Sequence, residues 1–168
     1  MRVRRSFAFV DLCGFTGFTD RGGDEDAVRL LSQFRSVVRD VASDRGVRIA
    51  KWLGDGAMLV SVESTPLIEA ILAIDLSLRS SAVSLPLRSG MTAGDVIVFE
   101  GDDHVGSAVN LASRLCDVAS AHEILATADV VWARPDGVTA EAAGPLPIAG
   151  FARPVHVFRL RPAQAQVA

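Results

Sequence analysis

Two aspartates in this sequence occupy positions where a charge needs an explanation. Asp11 ends the apolar segment 6–12, and Asp55 lies between two glycines inside the apolar segment 51–60. A buried charge is costly unless it is paired or binds a metal, and two neighbouring carboxylates repel unless a cation lies between them. Oxygen ligands favour Mg²⁺ or Mn²⁺. A Gly-Asp-Gly turn also occurs in ordinary hairpins, so Asp55 alone has a structural explanation, whereas Asp11 does not.

Further residues could bind a phosphorylated ligand. Gly14, Phe15 and Thr16 open a glycine-rich stretch directly after the first aspartate, and such loops present backbone N–H groups to phosphates. Asn110 and Arg114 are four residues apart in a segment with helical periodicity, so they would lie on one helix face. An amide and a guanidinium one turn apart can hold a ribose and a phosphate. The usual explanation of such a pair is an arginine that caps its own helix face.

Hydrophobic periodicity predicts how these residues are positioned. The predicted elements are a strand over 6–12, a helix over about 25–45 capped by Asp24, hairpin strands over 46–53 and 56–63, a helix over 65–80, a strand pair within 85–102 that turns near 93–95, helices over 106–119 and 126–134, and strands over 138–144 and 154–160. The core order β-α-β-β-α-β is that of a ferredoxin-like α+β fold. We therefore expect a central, mainly antiparallel sheet flanked by helices on one face, like a polymerase palm.

Composition indicates one domain over residues 1–161 and a disordered tail over 162–168. The 168 residues are 49% hydrophobic and 22% charged, with a formal net charge of −3, as in ordinary globular proteins. This charge gives no indication of a surface for nucleic acid polymers or membranes, and no apolar stretch approaches the ~20 residues of a membrane span. Cys13 and Cys116 have no metal-type spacing and indicate reduced thiols, so we expect a cytoplasmic protein.

Five segments, taken in order, resemble the catalytic domain of the class III nucleotidyl cyclases. They are FVDLCGFT, KWLGDGAM, LRSGMTAGDVIVFEGD, DHVGSAVNLASRL and IAGFARPVHVFRL. Each is weak evidence alone, but their order and spacing from about residue 6 to residue 160 are specific. The size resembles small actinobacterial adenylyl cyclases in which the catalytic domain stands alone.

The resemblance implies roles for the matching residues. Two Mg²⁺ or Mn²⁺ ions would be bound by Asp11, Asp55 and the backbone carbonyl of Leu12. Lys51 and Asp103 would recognise adenine, because a carboxylate accepts from its amino group and a lysine donates to its ring nitrogen. Guanine reverses this pattern, and each unpaired polar group would cost about 1–3 kcal/mol. The pair therefore predicts ATP as the substrate.

The resemblance also implies that the chain acts as a homodimer. Asn110 would orient the ribose, and Arg114 would stabilise charge on the reacting phosphate. One subunit would give the metal aspartates and the other the base, ribose and phosphate residues, which makes two composite sites. The expected reaction converts ATP to 3′,5′-cyclic AMP and pyrophosphate. A lysine that often reaches the terminal phosphates in the family has no counterpart here, so either Arg153 replaces it or the contact is missing.

Three alternatives stay open. An inactive nucleotide-binding module of the same fold would normally lose a metal aspartate or the arginine, and this sequence keeps both. A guanylyl or mixed-specificity cyclase would differ at Lys51 and Asp103. A palm-type nucleotidyltransferase would need a template surface, which neither the length nor the charge of the chain provides.

Overall fold

The chain folds in the order β-α-β-β-α-β, followed by further strands and two helices. The computed structural model describes residues 1–81, 85–101 and 103–163. The elements are β1 (Arg2–Leu12), α1 (Phe15–Asp44), β2 (Arg48–Leu53), β3 (Gly56–Ser61), α2 (Ser64–Arg79), β4 (Leu87–Phe99), β5 (Asp103–Val105), α3 (Ser107–Val118), β6 (Ile124–Thr127), α4 (Ala128–Val131), β7 (Val138–Leu146) and β8 (Val155–Pro162).

The strands form one sheet with β1 near its centre. The order is β2-β3-β1-β4-β6-β8-β7, and β5 pairs with the far end of β4. Among the described strands, β4 and β6 are parallel and the other neighbouring pairs are antiparallel. The predicted α+β class with a mainly antiparallel sheet is confirmed.

Helices cover both faces of this sheet, so the prediction of helices on one face is wrong. Ala8 and Val10 of β1 belong to the core that contains α1 and α2. Phe7 belongs to a second core with Ala108 and Ala112 of α3. Because neighbouring strand residues point to opposite faces, α3 packs on the face opposite α1 and α2. Both faces of β1 are therefore buried.

The first helix begins ten residues before its predicted start. α1 has 30 residues, and Gly23 interrupts its helical geometry with φ 80° and ψ 176°. The glycine-rich stretch that begins at Gly14 is thus mostly helical, and Asp24, the predicted cap, directly follows the kink. No helix in the described ranges, including this longest one, combines the length and apolar character needed to cross a membrane.

β4 is one long strand, so the predicted turn at 93–95 is wrong. A Cβ atom at Gly90 would lie 2.3 Å from the carbonyl oxygen of Ala112, and one at Gly94 would lie 2.9 Å from the Cβ of Ala108. Both glycines therefore permit close packing of α3 on the strand and do not mark a turn. The chain reverses only after β4, before it enters β5.

The last part of the chain differs from prediction in its short elements. The predicted helix over 126–134 is replaced by β6 and the four-residue α4, whereas the two final strands are present as β7 and β8. β8 reaches Pro162, and the N–H of Ala163 donates to the carbonyl of Gly137 at 2.7 Å. The predicted tail thus begins in ordered structure, and its residues 164–168 lie outside the described part of the chain.

Candidate active site

The end of β1 and the β2–β3 turn bring Asp11 and Asp55 to the same edge of the sheet. Asp11 is the register partner of Gly56. The backbone N–H of Leu12 donates to the carbonyl of Asp55 at 3.1 Å. The main chain therefore fixes the two predicted metal-binding aspartates beside each other.

Gly56 makes this close approach possible. A Cβ atom there would lie 2.5 Å from the carbonyl oxygen of Val10 and 3.2 Å from Oδ1 of Asp11. Any larger residue would push β3 away from the end of β1. The sequence indicated a turn glycine at this position, and the need for a glycine beside Asp11 becomes evident only from the strand register.

The electrostatics of this edge favour a cation. Burial and, next, the negative charge of Asp11 raise the pKa of Asp55 above its ordinary value of 3.8. Two carboxylates with oxygen donors fit Mg²⁺ or Mn²⁺. No cluster of three or more His, Cys, Asp or Glu side chains that could hold a metal occurs among the described residues. A metal at this edge would therefore need oxygen ligands from the backbone, water or the substrate in addition to the two aspartates.

Arg88 is part of this site, although the sequence analysis did not identify it. Its Nε and Nη2 donate to Oδ2 of Asp11 at 3.0 and 2.6 Å. Its Nη1 donates to the carbonyl of Asp117 at the end of α3, at 3.0 Å. Burial acts to lower the pKa of Arg88, but the hydrogen bond and charge of Asp11 together outweigh it, so the pKa is raised. Only the pairing of β1 with β4, which makes Arg88 the partner of Asp11, could have identified it.

The glycine-rich stretch leads directly from β1 into α1. Gly14 precedes the helix with φ 79°, and Phe15 and Thr16 form its first turn. The first backbone N–H groups of a helix have no partner inside that helix and favour an anion. The predicted phosphate loop therefore begins two residues after Leu12, next to the aspartate pair.

The two predicted base-binding residues contact each other. Nζ of Lys51 lies 2.6 Å from Oδ1 of Asp103, and both side chains are about half exposed. The hydrogen bond and charge of Lys51 lower the pKa of Asp103. A donor and an acceptor are thus held side by side at a solvent-accessible position.

Asn110 and Arg114 lie on α3 beside a cleft. Both are exposed on α3 and line a cleft of about 470 Å³ together with Ser107, Ser113 and residues 149–151. Within the described part of the chain, this lining includes none of the other predicted site residues. Arg153 is exposed on the loop that follows the cleft. The described lining of this cleft thus contains neither Asp11 nor Asp55. Arg114 pairs with Asp117 of the same helix at 3.6 Å, and the carbonyl of Asp117 accepts from Arg88.

The chain is similar in sequence to larger actinobacterial proteins. An uncharacterised protein of Mycobacterium tuberculosis (strain H37Rv) is 36% identical over 158 residues, which cover 94% of this chain and 41% of that protein. An adenylate cyclase of Streptomyces coelicolor is 31% identical over 167 residues, which cover 95% of this chain and 44% of that protein. The chain spans about two fifths of the length of these relatives. No protein-family model matches it.

Solved cyclase structures share the fold. The adenylyl cyclase CyaB of Pseudomonas aeruginosa superposes with a TM-score of 0.85 at 23% identity, over 100% of this chain and 98% of that chain. The guanylate cyclase domain of a Catenaria anguillulae protein, in complex with GTP, gives a TM-score of 0.88 at 18% identity, over 98% of this chain and 100% of that chain. By this fold and by its similarity to actinobacterial adenylate cyclases, the chain belongs to the class III nucleotidyl cyclase catalytic domains.

Proposed function

We propose that the chain is the catalytic domain of an adenylyl cyclase that converts ATP to 3′,5′-cyclic AMP and pyrophosphate at sites shared by two copies. The observation that carries this proposal is that Asp11 and Asp55 lie beside each other, close in the chain to the first turn of α1. This arrangement combines carboxylate oxygen ligands with backbone N–H groups that suit phosphate, which is the chemistry needed to bind a metal–triphosphate complex.

The edge of the sheet at which Asp11 and Asp55 lie, which we call the aspartate edge, would bind the metal ions and the triphosphate. Asp11, Asp55 and the backbone carbonyl of Leu12 would hold the cations. Bound Mg²⁺ or Mn²⁺ would acidify the ribose 3′-hydroxyl and neutralise charge on the leaving group. Arg88 offsets the charge of Asp11 and is a second candidate, beside Arg153, for the phosphate contact that a lysine makes in the family.

The ion pair between Lys51 and Asp103 would select adenine. The carboxylate can still accept from the adenine amino group, and the ammonium has further protons to donate to the ring nitrogen. The name of the Streptomyces relative supports adenine, whereas the Catenaria complex contains GTP in the same fold. Base choice would therefore depend on local residues and not on the fold.

A second copy of the chain would complete each site. Asn110 would align the ribose so that its 3′-oxygen attacks the α-phosphorus in line, and Arg114 would stabilise the developing charge. The described lining of their cleft contains neither aspartate of the aspartate edge, which supports a composite site. Ile97, Phe99 and Val105 on the β4–β5 hairpin are 44%, 53% and 55% exposed, and exposed apolar side chains in one region are typical of interfaces.

The first experiment measures cyclic nucleotide formation from ATP and from GTP, with Mg²⁺ or Mn²⁺, over a range of protein concentrations. We expect cyclic AMP from ATP, and activity per chain that rises with concentration because dimerisation completes the sites. Folded protein that forms no cyclic product at any concentration would contradict the proposal. In that case an ATP-affinity measurement would test the alternative of an inactive nucleotide-binding module.

A second experiment tests base choice with the double substitution Lys51→Glu and Asp103→Gly. We expect weaker use of ATP and a shift toward GTP, since the hydrogen-bonding pattern is changed at both positions. The pair is half exposed, so its loss should leave the Tm nearly unchanged, which thermal unfolding checks. An unchanged ratio of ATP to GTP turnover in the folded variant would show that other residues select the base.

A further inference from the structure

Two arginines of α1 stack on a tryptophan next to the aspartate-bearing turn. The Cζ atoms of Arg35 and Arg39 lie 5.0 and 5.3 Å from the ring centroid of Trp52. The ring of Phe34 contacts the same indole edge to face, with centroids 6.4 Å apart. Cation–π contacts of this kind stabilise packing, so they join α1 to β2 just before the turn that contains Asp55.

Arg35 makes one contact that Arg39 does not make among the described residues. Its Nη2 donates to the carbonyl of Gly54 at 3.4 Å. Its Nε is shielded from solvent and has no hydrogen-bond partner within the described part of the chain. The guanidinium of Arg35 thus contacts both the indole of Trp52 and the turn that contains Gly54.

The turn needs external support to hold Asp55 in place. Asp55 lies between two glycines, and Gly54 has φ 65°. Glycine has the greatest backbone freedom of all residues. On one side the turn is held by the bond from the Leu12 N–H to the Asp55 carbonyl. The bond from Arg35 to Gly54 holds it from the side of α1.

We propose that Arg35 is a positioning residue that holds the metal-binding turn, an inference that rests on the proposed metal role of Asp55. Residues that orient metal ligands without touching the metal typically change its affinity by about 10–100-fold when replaced. The contact to Gly54 is single and partly exposed. We therefore expect an effect at the lower end of this range.

Electrostatics and positioning predict opposite signs for the loss of Arg35. A guanidinium near a cation site repels the cation, so removal of its charge alone should tighten metal binding. Loss of the support for the turn should instead weaken binding. Arg39→Gln is the matched control, because it removes the same charge from the same indole and leaves the contact to Gly54.

The tryptophan itself can report the binding. The chain contains two tryptophans and no tyrosine, and Trp132 is 85% exposed. Trp132→Phe therefore leaves Trp52 as the only indole at little structural cost. Mn²⁺ is titrated into this variant with and without the non-cyclisable analogue α,β-methylene-ATP. Quenching of the fluorescence of Trp52 and the loss of the free Mn²⁺ EPR signal then give the affinity.

In this background we expect Arg35→Gln to raise the half-saturating Mn²⁺ concentration about tenfold, and Arg39→Gln to leave it unchanged or lower it. Arg35→Lys keeps the charge but lacks the planar fork, so it should also weaken binding, and it replaces Arg35→Gln if circular dichroism shows that the latter is unfolded. If the folded Arg35 variant binds Mn²⁺ as tightly as the Trp132→Phe parent, or more tightly, the proposal is overturned. A parent that binds no Mn²⁺ would remove the metal site and this inference, whereas a parent that binds Mn²⁺ without forming cyclic nucleotide would contradict only the proposed catalysis.

Discussion

Asp55 is held in a position that costs free energy in the absence of a cation. Burial and the charge of Asp11 both raise its pKa, which means that its charged form is disfavoured in the folded chain. Arg88 offsets this cost in part, because it donates to Asp11. Gly56 brings the carboxylates together because it has no side chain. The proposed metal ions would offset this cost, because a cation between the two carboxylates removes their repulsion.

Because the charged form of Asp55 is disfavoured in the folded chain, we expect Asp55→Asn to stabilise the metal-free chain. The folded-state pKa of Asp55 lies above its ordinary value of 3.8. The free-energy penalty of its charge is therefore absent well below this value, where Asp55 is protonated in the folded and the unfolded chain. The penalty grows as the pH rises from about 3.8 to the raised folded-state value, and it is complete above that value. The variant should thus have a higher Tm than the parent in EDTA at neutral pH, by no more than a few degrees, and this gain should shrink on acidification.

Thermal unfolding in EDTA between neutral pH and the lowest pH at which the chain stays folded measures this gain. The exposed Asp129, which pairs with Arg4, gives the control Asp129→Asn, for which we expect no gain in Tm because such pairs contribute only about 0–1 kcal/mol. A lower Tm for Asp55→Asn at neutral pH would show that the hydrogen bonds of Asp55 outweigh the cost of its charge.

At the scale of elements, β4 connects the parts of the site. Its first residues bring Arg88 to Asp11, its middle packs against α3, and its end forms the exposed hairpin with β5. The packing of α3 sets the position of the residues that α3 presents to its cleft. Gly90 and Gly94 decide how closely this helix can approach.

A graded pair of substitutions tests this packing. A Cβ at Gly90 would meet backbone atoms, the Ala112 oxygen and the Cys116 nitrogen, each at 2.3 Å, whereas a Cβ at Gly94 would meet only the Cβ of Ala108, at 2.9 Å. Gly90→Ala should therefore destabilise the fold by at least the ~1–3 kcal/mol typical of overpacking, and Gly94→Ala by less. Urea unfolding measures both. Ala108→Gly should relieve part of the strain in Gly94→Ala, and equal losses for Gly90→Ala and Gly94→Ala would contradict this account.

The same glycines show why the sequence predicted some elements and not others. Strand alternation and helical spacing are local signals, and they predicted β1, the β2–β3 hairpin, α2 and α3. A glycine marks either a turn or a close contact, and only the distant partner decides which, so β4 was predicted as two strands. The proximity of Asp11 and Asp55 was predictable, because each follows from a strand or turn that its own neighbours indicate. Arg88 was not, because its role depends on a strand register between residues 77 positions apart.

At the scale of the whole molecule, the predicted residues fall into separate groups on one chain. Neither aspartate of the aspartate edge lines the α3 cleft in the described part of the chain, and exposed apolar side chains remain on the β4–β5 hairpin. A two-fold dimer presents the same surfaces twice. It could therefore join the edge of each copy to the cleft of the other and make two sites from two incomplete chains.

Shared sites predict that two inactive variants restore activity when they are mixed. Asp11→Asn removes a proposed metal ligand and Arg114→Ala removes the cation proposed to stabilise the reacting phosphate, so each homodimer should be inactive. If equal amounts of the two variants assort at random, half of the dimers are mixed and each contains one intact site, which gives about a quarter of the parent activity.

Asp11→Asn mixed with Asp55→Asn is the control, because both defects lie on the same edge and no mixed dimer contains an intact site. Heterodimers verified by mass tags that form no cyclic nucleotide from Asp11→Asn and Arg114→Ala would show that each site is built within one chain. The exposed cleft on α3 would then need another explanation.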